Sequence, residues 1–155
     1  MSLTLDIRTG ARPLDPRFAF TRRELADVVQ TILEALGLCG ADLSLTLLDD
    51  PGIAVLNARH LDCQGPTNIL SFPEADPARP QALGALFLSV DTLAREAFLY
   101  GQEPQRHLAR LLSHGILHLC GHDHGPDMEA LTDLAVDAVC LHEPWPACVS
   151  ATFSA

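Results

Sequence analysis

A chain of 155 residues with 48% apolar content can bury a sizeable core, and a single domain spanning 1–155 is expected. A net charge of −10, carried against ten arginines and no lysine, excludes a general attraction to nucleic acid; any RNA contact must use a local patch. The five cysteines, Cys39, Cys63, Cys120, Cys140 and Cys148, are an odd set with no Cys-x-x-Cys spacing, which argues against a disulfide framework and for a reducing compartment.

No signal-peptide pattern is expected, because Asp6 and Arg8 interrupt the early apolar residues, and no apolar run reaches membrane-spanning length. The expectation is a cytoplasmic protein with no membrane partner. Arg8, Arg12, Arg17, Arg22 and Arg23 gather near the N-terminus, and no arginine follows Arg110.

Leu3 to Arg8 alternates apolar and polar residues and predicts a strand. Gly10 to Pro16 reads as a loop. Thr21-Arg22-Arg23-Glu24 is a capping box, opening a helix with Leu25, Val28, Val29, Ile32, Leu33 and Leu36 at helical spacing and Gly37 at its end. Leu43 to Leu48 predicts a second strand. Asp50 is placed as the cap of a helix that has Pro51 in its first turn and ends near Asn57 or Arg59. Leu61 to Pro66 is read as an irregular loop, and Thr67 to Phe72 as a short strand stopped by Pro73.

Leu83 to Val90 predicts a buried strand, and Asp91 is placed as the cap of a helix running through Tyr100 to Gly101. Pro104 starts a central helix to about Cys120. A last helix spans Asp127 to about Leu141, with Leu131, Leu134, Ala135 and Ala138 on its packed side. A loosely docked tail is expected over 143–155. The predicted class is α+β: a small mixed sheet of four strands packed with four to five helices.

The chemistry concentrates at the end of the central helix. His114 and His118 are four apart and share one helical face. Gly121 suits a helix stop, and the turn can return His124 to the same point. Three imidazoles with one position left for water is the plan of a catalytic zinc site, so one Zn²⁺ per chain is expected on His114, His118 and His124 at the end of that helix. Cys120 is expected to point away from the metal.

Metal-assisted hydrolysis follows as the default chemistry. The spacing equals that of metzincin-like metalloproteases, but those carry Glu after the first histidine, where this chain has Gly115. Gly115 is expected to leave room beside the metal for a phosphate. RNA can supply its own 2′-hydroxyl as nucleophile, which lessens the need for a protein base. His107 is expected on the surface, and Asp123 either orients a ligand histidine or caps the following turn.

Residues 114–124 resemble the YbeY-family motif His-Gly-x-Leu-His-Leu-x-Gly-Tyr/His-Asp-His. Leu56-Asn57 and Pro66-Thr67-Asn68-Ile69-Leu70-Ser71-Phe72-Pro73 resemble a second family block, and Leu83-Gly84 a third. The resemblance spans roughly residues 43–141. It implies a zinc-dependent endoribonuclease specific for single strands, acting in ribosomal RNA maturation and ribosome quality control. Its implied partners are rRNA and ribosomal proteins, with no DNA specificity. Asn68 and Ser71 are implied as substrate-binding residues. A family arginine falls, without gaps, on Leu61; Arg59 lies two residues early and is the candidate to replace it. The alternative function is a ribosome-assembly or binding factor with a mainly structural metal.

Overall fold

The computed structural model describes residues 2–7, 15–61, 65 and 67–141. The expectations for Arg8, the loop from Gly10, Arg12, Asp62 to Gln64, Pro66 and the tail 143–155 with Cys148 lie outside the described residues. The elements are β1 (Ser2–Ile7), α1 (Arg22–Ala35), β2 (Asp42–Leu48), α2 (Asp50–Leu61), β3 (Ile69–Pro73), β4 (Ala82–Ser89), α3 (Val90–Leu99), α4 (Pro104–Leu119) and α5 (Pro126–Leu141). The fold is mixed α+β. The sheet order is β1-β2-β4-β3, with β1, β2 and β4 parallel and β3 antiparallel on the edge beside β4.

The sheet is covered on both faces, unequally. Leu43, Leu45 and Leu47 of β2 and Leu86 and Leu88 of β4 join the main core, which also takes residues of α1, α3, α4 and α5. The period of two sends Phe87 and, from β3, Leu70 and Phe72 into a smaller cluster with Leu48, Ile53 and Leu56. That second cluster seats α2. Between β3 and β4, Gly84 adopts φ +137°, and a Cβ there would collide with the Phe72 carbonyl oxygen.

Thr21 completes a capping box with Glu24: its hydroxyl accepts from the Glu24 amide at 3.2 Å, and its own amide donates to Glu24 Oε2 at 2.7 Å. Two other caps differ from expectation. The cap of α2 is Asp49, whose Oδ1 accepts from the Gly52 amide at 2.9 Å, and Asp50 is the first helical residue. The cap of α3 is Ser89, whose hydroxyl accepts from the Thr92 amide at 3.2 Å, and Asp91 lies in the first turn. In both cases two residues within two positions of each other could cap, and tertiary contacts choose. Helix α2 also runs further than expected, to Leu61. On α5 the buried stripe is Met128, Thr132, Ala135, Val136 and Val139, leaving Leu134 52% exposed.

Asp50 is free for another task because it does not cap. It accepts from Thr92 Oγ1 at 2.6 Å, Ser89 Oγ at 2.7 Å and Arg95 Nη1 at 3.0 Å. Its own amide donates to Asp91 Oδ2 at 2.9 Å. This cluster fastens the start of α2 to the start of α3. Burial alone would raise the Asp50 pKa, but the Thr92 and Ser89 hydroxyls and the Arg95 guanidinium outweigh it and hold the carboxyl below its ordinary 3.8. A depressed folded pKa gives stability that is present above 3.8 and lost as pH falls through the folded value. Asp50→Ala strands two buried hydroxyls and should cost about 2 kcal/mol in urea unfolding at pH 7. The gap between wild type and variant should close as the titration is repeated below pH 3.8.

Candidate metal centre

Helix α4 carries its site on the face opposite its core. Leu108, Leu112, Ile116 and Leu119 recur at helical spacing and are buried in the main core. Arg110, His114 and His118 recur every four residues on the other side, one above another. The helix ends at Cys120, and Gly121 follows at φ +88°. The Gly121 amide donates to the His118 carbonyl at 3.0 Å, and the His122 amide donates to the Leu117 carbonyl at 3.0 Å. This paired arrangement is a Schellman stop, and it turns the chain back along the histidine face.

The turn brings His124 to the other two histidines. One ring nitrogen of each lies within 4.8 Å of the others, and ring centroids are 4.8 to 4.9 Å apart. Zinc–nitrogen bonds of about 2.1 Å in tetrahedral geometry place ligand nitrogens roughly 3.4 Å apart, so small side-chain adjustments close the cluster on an ion. His118 Nδ1 lies 3.0 Å from the His122 carbonyl oxygen. An N–H on Nδ1 donating there leaves Nε2 unprotonated for a metal. Burial, then the neighbouring His118, His124 and Arg110, push the His114 pKa below its ordinary 6.5 and favour the neutral ring that a metal needs. The donor set fits a borderline-soft divalent cation such as zinc.

The cluster opens into a cleft of about 650 Å³ between α4 and β3, with Leu61 on its rim. Asn68 and Ser71 both line it. Much of their polarity is already engaged. Ser71 Oγ donates to the Gly115 carbonyl at 3.1 Å, tying β3 to α4. Asn68 Oδ1 accepts from the Ile69 amide at 2.7 Å, and its Nδ2 donates to Glu96 Oε1 at 3.2 Å.

Four expectations change. Gly115 does not leave room beside the metal. It is buried against the sheet, and a Cβ there would meet Ile69 Cδ1 at 2.8 Å, Leu86 Cδ2 at 2.9 Å and Ser71 Oγ at 3.3 Å. One residue further along a helix is a turn of 100°, so Gly115 faces the sheet when His114 faces the cleft. Asp123 is exposed and, among the described residues, hydrogen-bonds none of the three rings; the His122 carbonyl does so instead. Arg59 is exposed at the last turn of α2 and is not among the residues lining the cleft. His107 is 5% exposed rather than on the surface. Its Nε2 lies 3.2 Å from Glu96 Oε1, and Tyr100 stands edge-on to its ring.

Cys120 is exposed and outside the histidine cluster. Sequence reasoning passed over Arg110, which does line the cleft. The signal was present: Arg110 precedes His114 by four residues, the same step that separates His114 from His118.

Comparison with known proteins adds to this geometry. The family model described as Endoribonuclease YbeY matches residues 15–135. A protein of Oleidesulfovibrio alaskensis named Endoribonuclease YbeY is 41% identical over 152 residues, covering 84% of this chain and 88% of that one. A protein of the same name from Nitratidesulfovibrio vulgaris is 44% identical over 140 residues, covering 79% and 86%. The solution structure of TM1509 from Thermotoga maritima is similar in fold, with a TM-score of 0.59 at 20% identity, over 88% of this chain and 89% of that one.

Two measurements check the centre. Calorimetric titration of metal-stripped protein with Zn²⁺ at neutral pH should give one equivalent, and His118→Ala should abolish it. Gly115→Glu would force a carboxylate against Ile69 and Leu86, so chemical denaturation should show a loss of about 3 kcal/mol or more. A Gly115→Glu protein of wild-type stability would contradict the packing described.

Proposed function

The chain belongs to the endoribonuclease YbeY family, and on that premise we propose that it is a metal-dependent endoribonuclease cutting single-stranded RNA in ribosomal RNA maturation and ribosome quality control. The observation that carries this reading is the convergence of His114, His118 and His124 on one point in the cleft between α4 and β3. A zinc ion on these rings supplies Lewis acidity toward a phosphoryl oxygen and toward water. The three imidazoles would hold it in their neutral form, and the His122 carbonyl orients the ring of His118. Ser71 and Asn68 shape the opposite wall of the cleft, which supports a role for them against the substrate strand. A cytoplasmic location and contacts with ribosomal proteins belong to the same proposal.

Among the described residues, the lining of the cleft includes no carboxylate. Among the described residues no general base other than the histidines lines the cleft, and the substrate's 2′-hydroxyl is the proposed nucleophile. The cleft beside the cluster favours an open metal over a purely structural one. The packing of Gly115 argues against a protease, since the position of the metzincin base faces the sheet.

Single-turnover cleavage of a 5′-labelled single-stranded rRNA fragment tests the proposal. Zinc-loaded wild type should cut it. Metal-stripped protein and His114→Ala should lose at least a hundredfold in rate. A 2′-deoxy nucleotide at the cleavage site should block cutting there. Cleavage that survives metal removal would overturn the metal-dependent reading, and cleavage at the deoxy position would overturn the 2′-hydroxyl as nucleophile.

A further inference from the structure

The cleft has walls of unequal chemistry. Its lining is mostly apolar or neutral: Leu61, Ile69, Leu70, Leu111, Asn68 and Ser71 stand around the histidines. Among the described residues Arg110 is its only arginine, and the sequence has no lysine to serve instead. The chain carries a net charge of −10, and no arginine follows Arg110 toward the acidic C-terminal end. A polyanionic strand entering this cleft meets general repulsion, so a cation inside it carries unusual weight. The alignment position of the family arginine is Leu61, which does line the cleft but offers no charge.

We propose that Arg110 grips the phosphate of the bound RNA, the part that the resemblance gave to Arg59; this rests on the ribonuclease reading above. Arg110 sits one helical turn before His114, about 6 Å along the axis, and its side chain lines the same cleft as the three histidines. Its side chain is 38% exposed. Among the described residues it has one hydrogen bond, from Nη2 to Asp133 Oδ1 of α5 at 3.2 Å. A guanidinium has five N–H donors in a planar fork, so most remain for two phosphate oxygens. Asp133 steadies the arginine from behind, and Arg106 reaches Asp137 one turn earlier at 3.8 Å, so α5 keeps its hold on α4 without Arg110.

Binding of a fluorescent single-stranded RNA 12-mer to zinc-loaded protein, across a salt series, tests this. Arg110→Ala should weaken the Kd about tenfold or more and flatten the log–log salt slope by about 0.7, with zinc stoichiometry unchanged. Arg110→Lys should recover part of the affinity, as a point charge without the fork. Asp133→Asn, which breaks the ion pair but keeps the guanidinium, should bind at least as well as wild type. The inference is overturned if Arg110→Ala binds like wild type while Arg59→Ala does not. It is equally overturned if Asp133→Asn loses as much as Arg110→Ala, since the effect would then lie in the α4–α5 contact. Failure of wild type to bind RNA at any salt would overturn the ribonuclease reading itself, and this inference with it.

Discussion

The closeness of α4 to the edge strand β3 is the constraint on which the rest of this structure depends. It exists because residue 115 has no side chain. Ile69, Leu86 and Ser71 occupy the space that a Cβ would need, and the Ser71 hydroxyl reaches the carbonyl of Gly115. The same contact decides which way the helix is rolled. With position 115 against the sheet, positions 110, 114 and 118 must face outward along the strand. The cleft is therefore a by-product of packing: it is the space left on one side of a helix pressed close to a sheet on the other.

The second dependency is the stop of α4. A Schellman turn is a backbone device that satisfies carbonyls left over at a helix end. Here it also does chemical work. It spends the amide of His122 on the helix end and leaves the carbonyl of the same residue facing the ring of His118. One residue with positive φ thus ends the helix, returns the third histidine to the first two, and fixes a tautomer. Backbone geometry, and not a carboxylate, orients the ring of His118.

The sequence was readable where a feature depends on local spacing. The histidine pair, the glycine stop and the Thr21–Glu24 capping box are all set by residues within one or two turns, and all three appear in the structure. It was less readable where two neighbours could serve. Asp49 and Asp50 are both good caps, and the choice falls to the hydroxyls of Ser89 and Thr92, some 40 residues away, which claim the carboxylate of Asp50. His107 is hidden for a similar reason. Its burial follows from Glu96 on α3, a partner that helical periodicity within α4 cannot show. Leu134 shows the converse failure: an apolar residue near a helix stripe was assigned to it, while the stripe passed through Thr132 and Val136. The displaced weight of Arg59 and Arg110 belongs to the same class, because lining a cleft is a property of two elements at once.

The two faces of the sheet do not carry equal loads. Helix α4 and its histidines rest on the main core, built from the interlocked leucines, valines and isoleucines of four helices and two strands. Helix α2, which brings Leu61 to the rim of the cleft, rests on a cluster whose buried members are only Leu48, Ile53 and Leu70. Local opening is governed by the apolar contacts that must be broken, so the two sides of the cleft belong to regions of different opening free energy. The wall that carries the three histidines rests on the larger cluster, and opening the α2 rim breaks fewer apolar contacts and leaves the three rings in place.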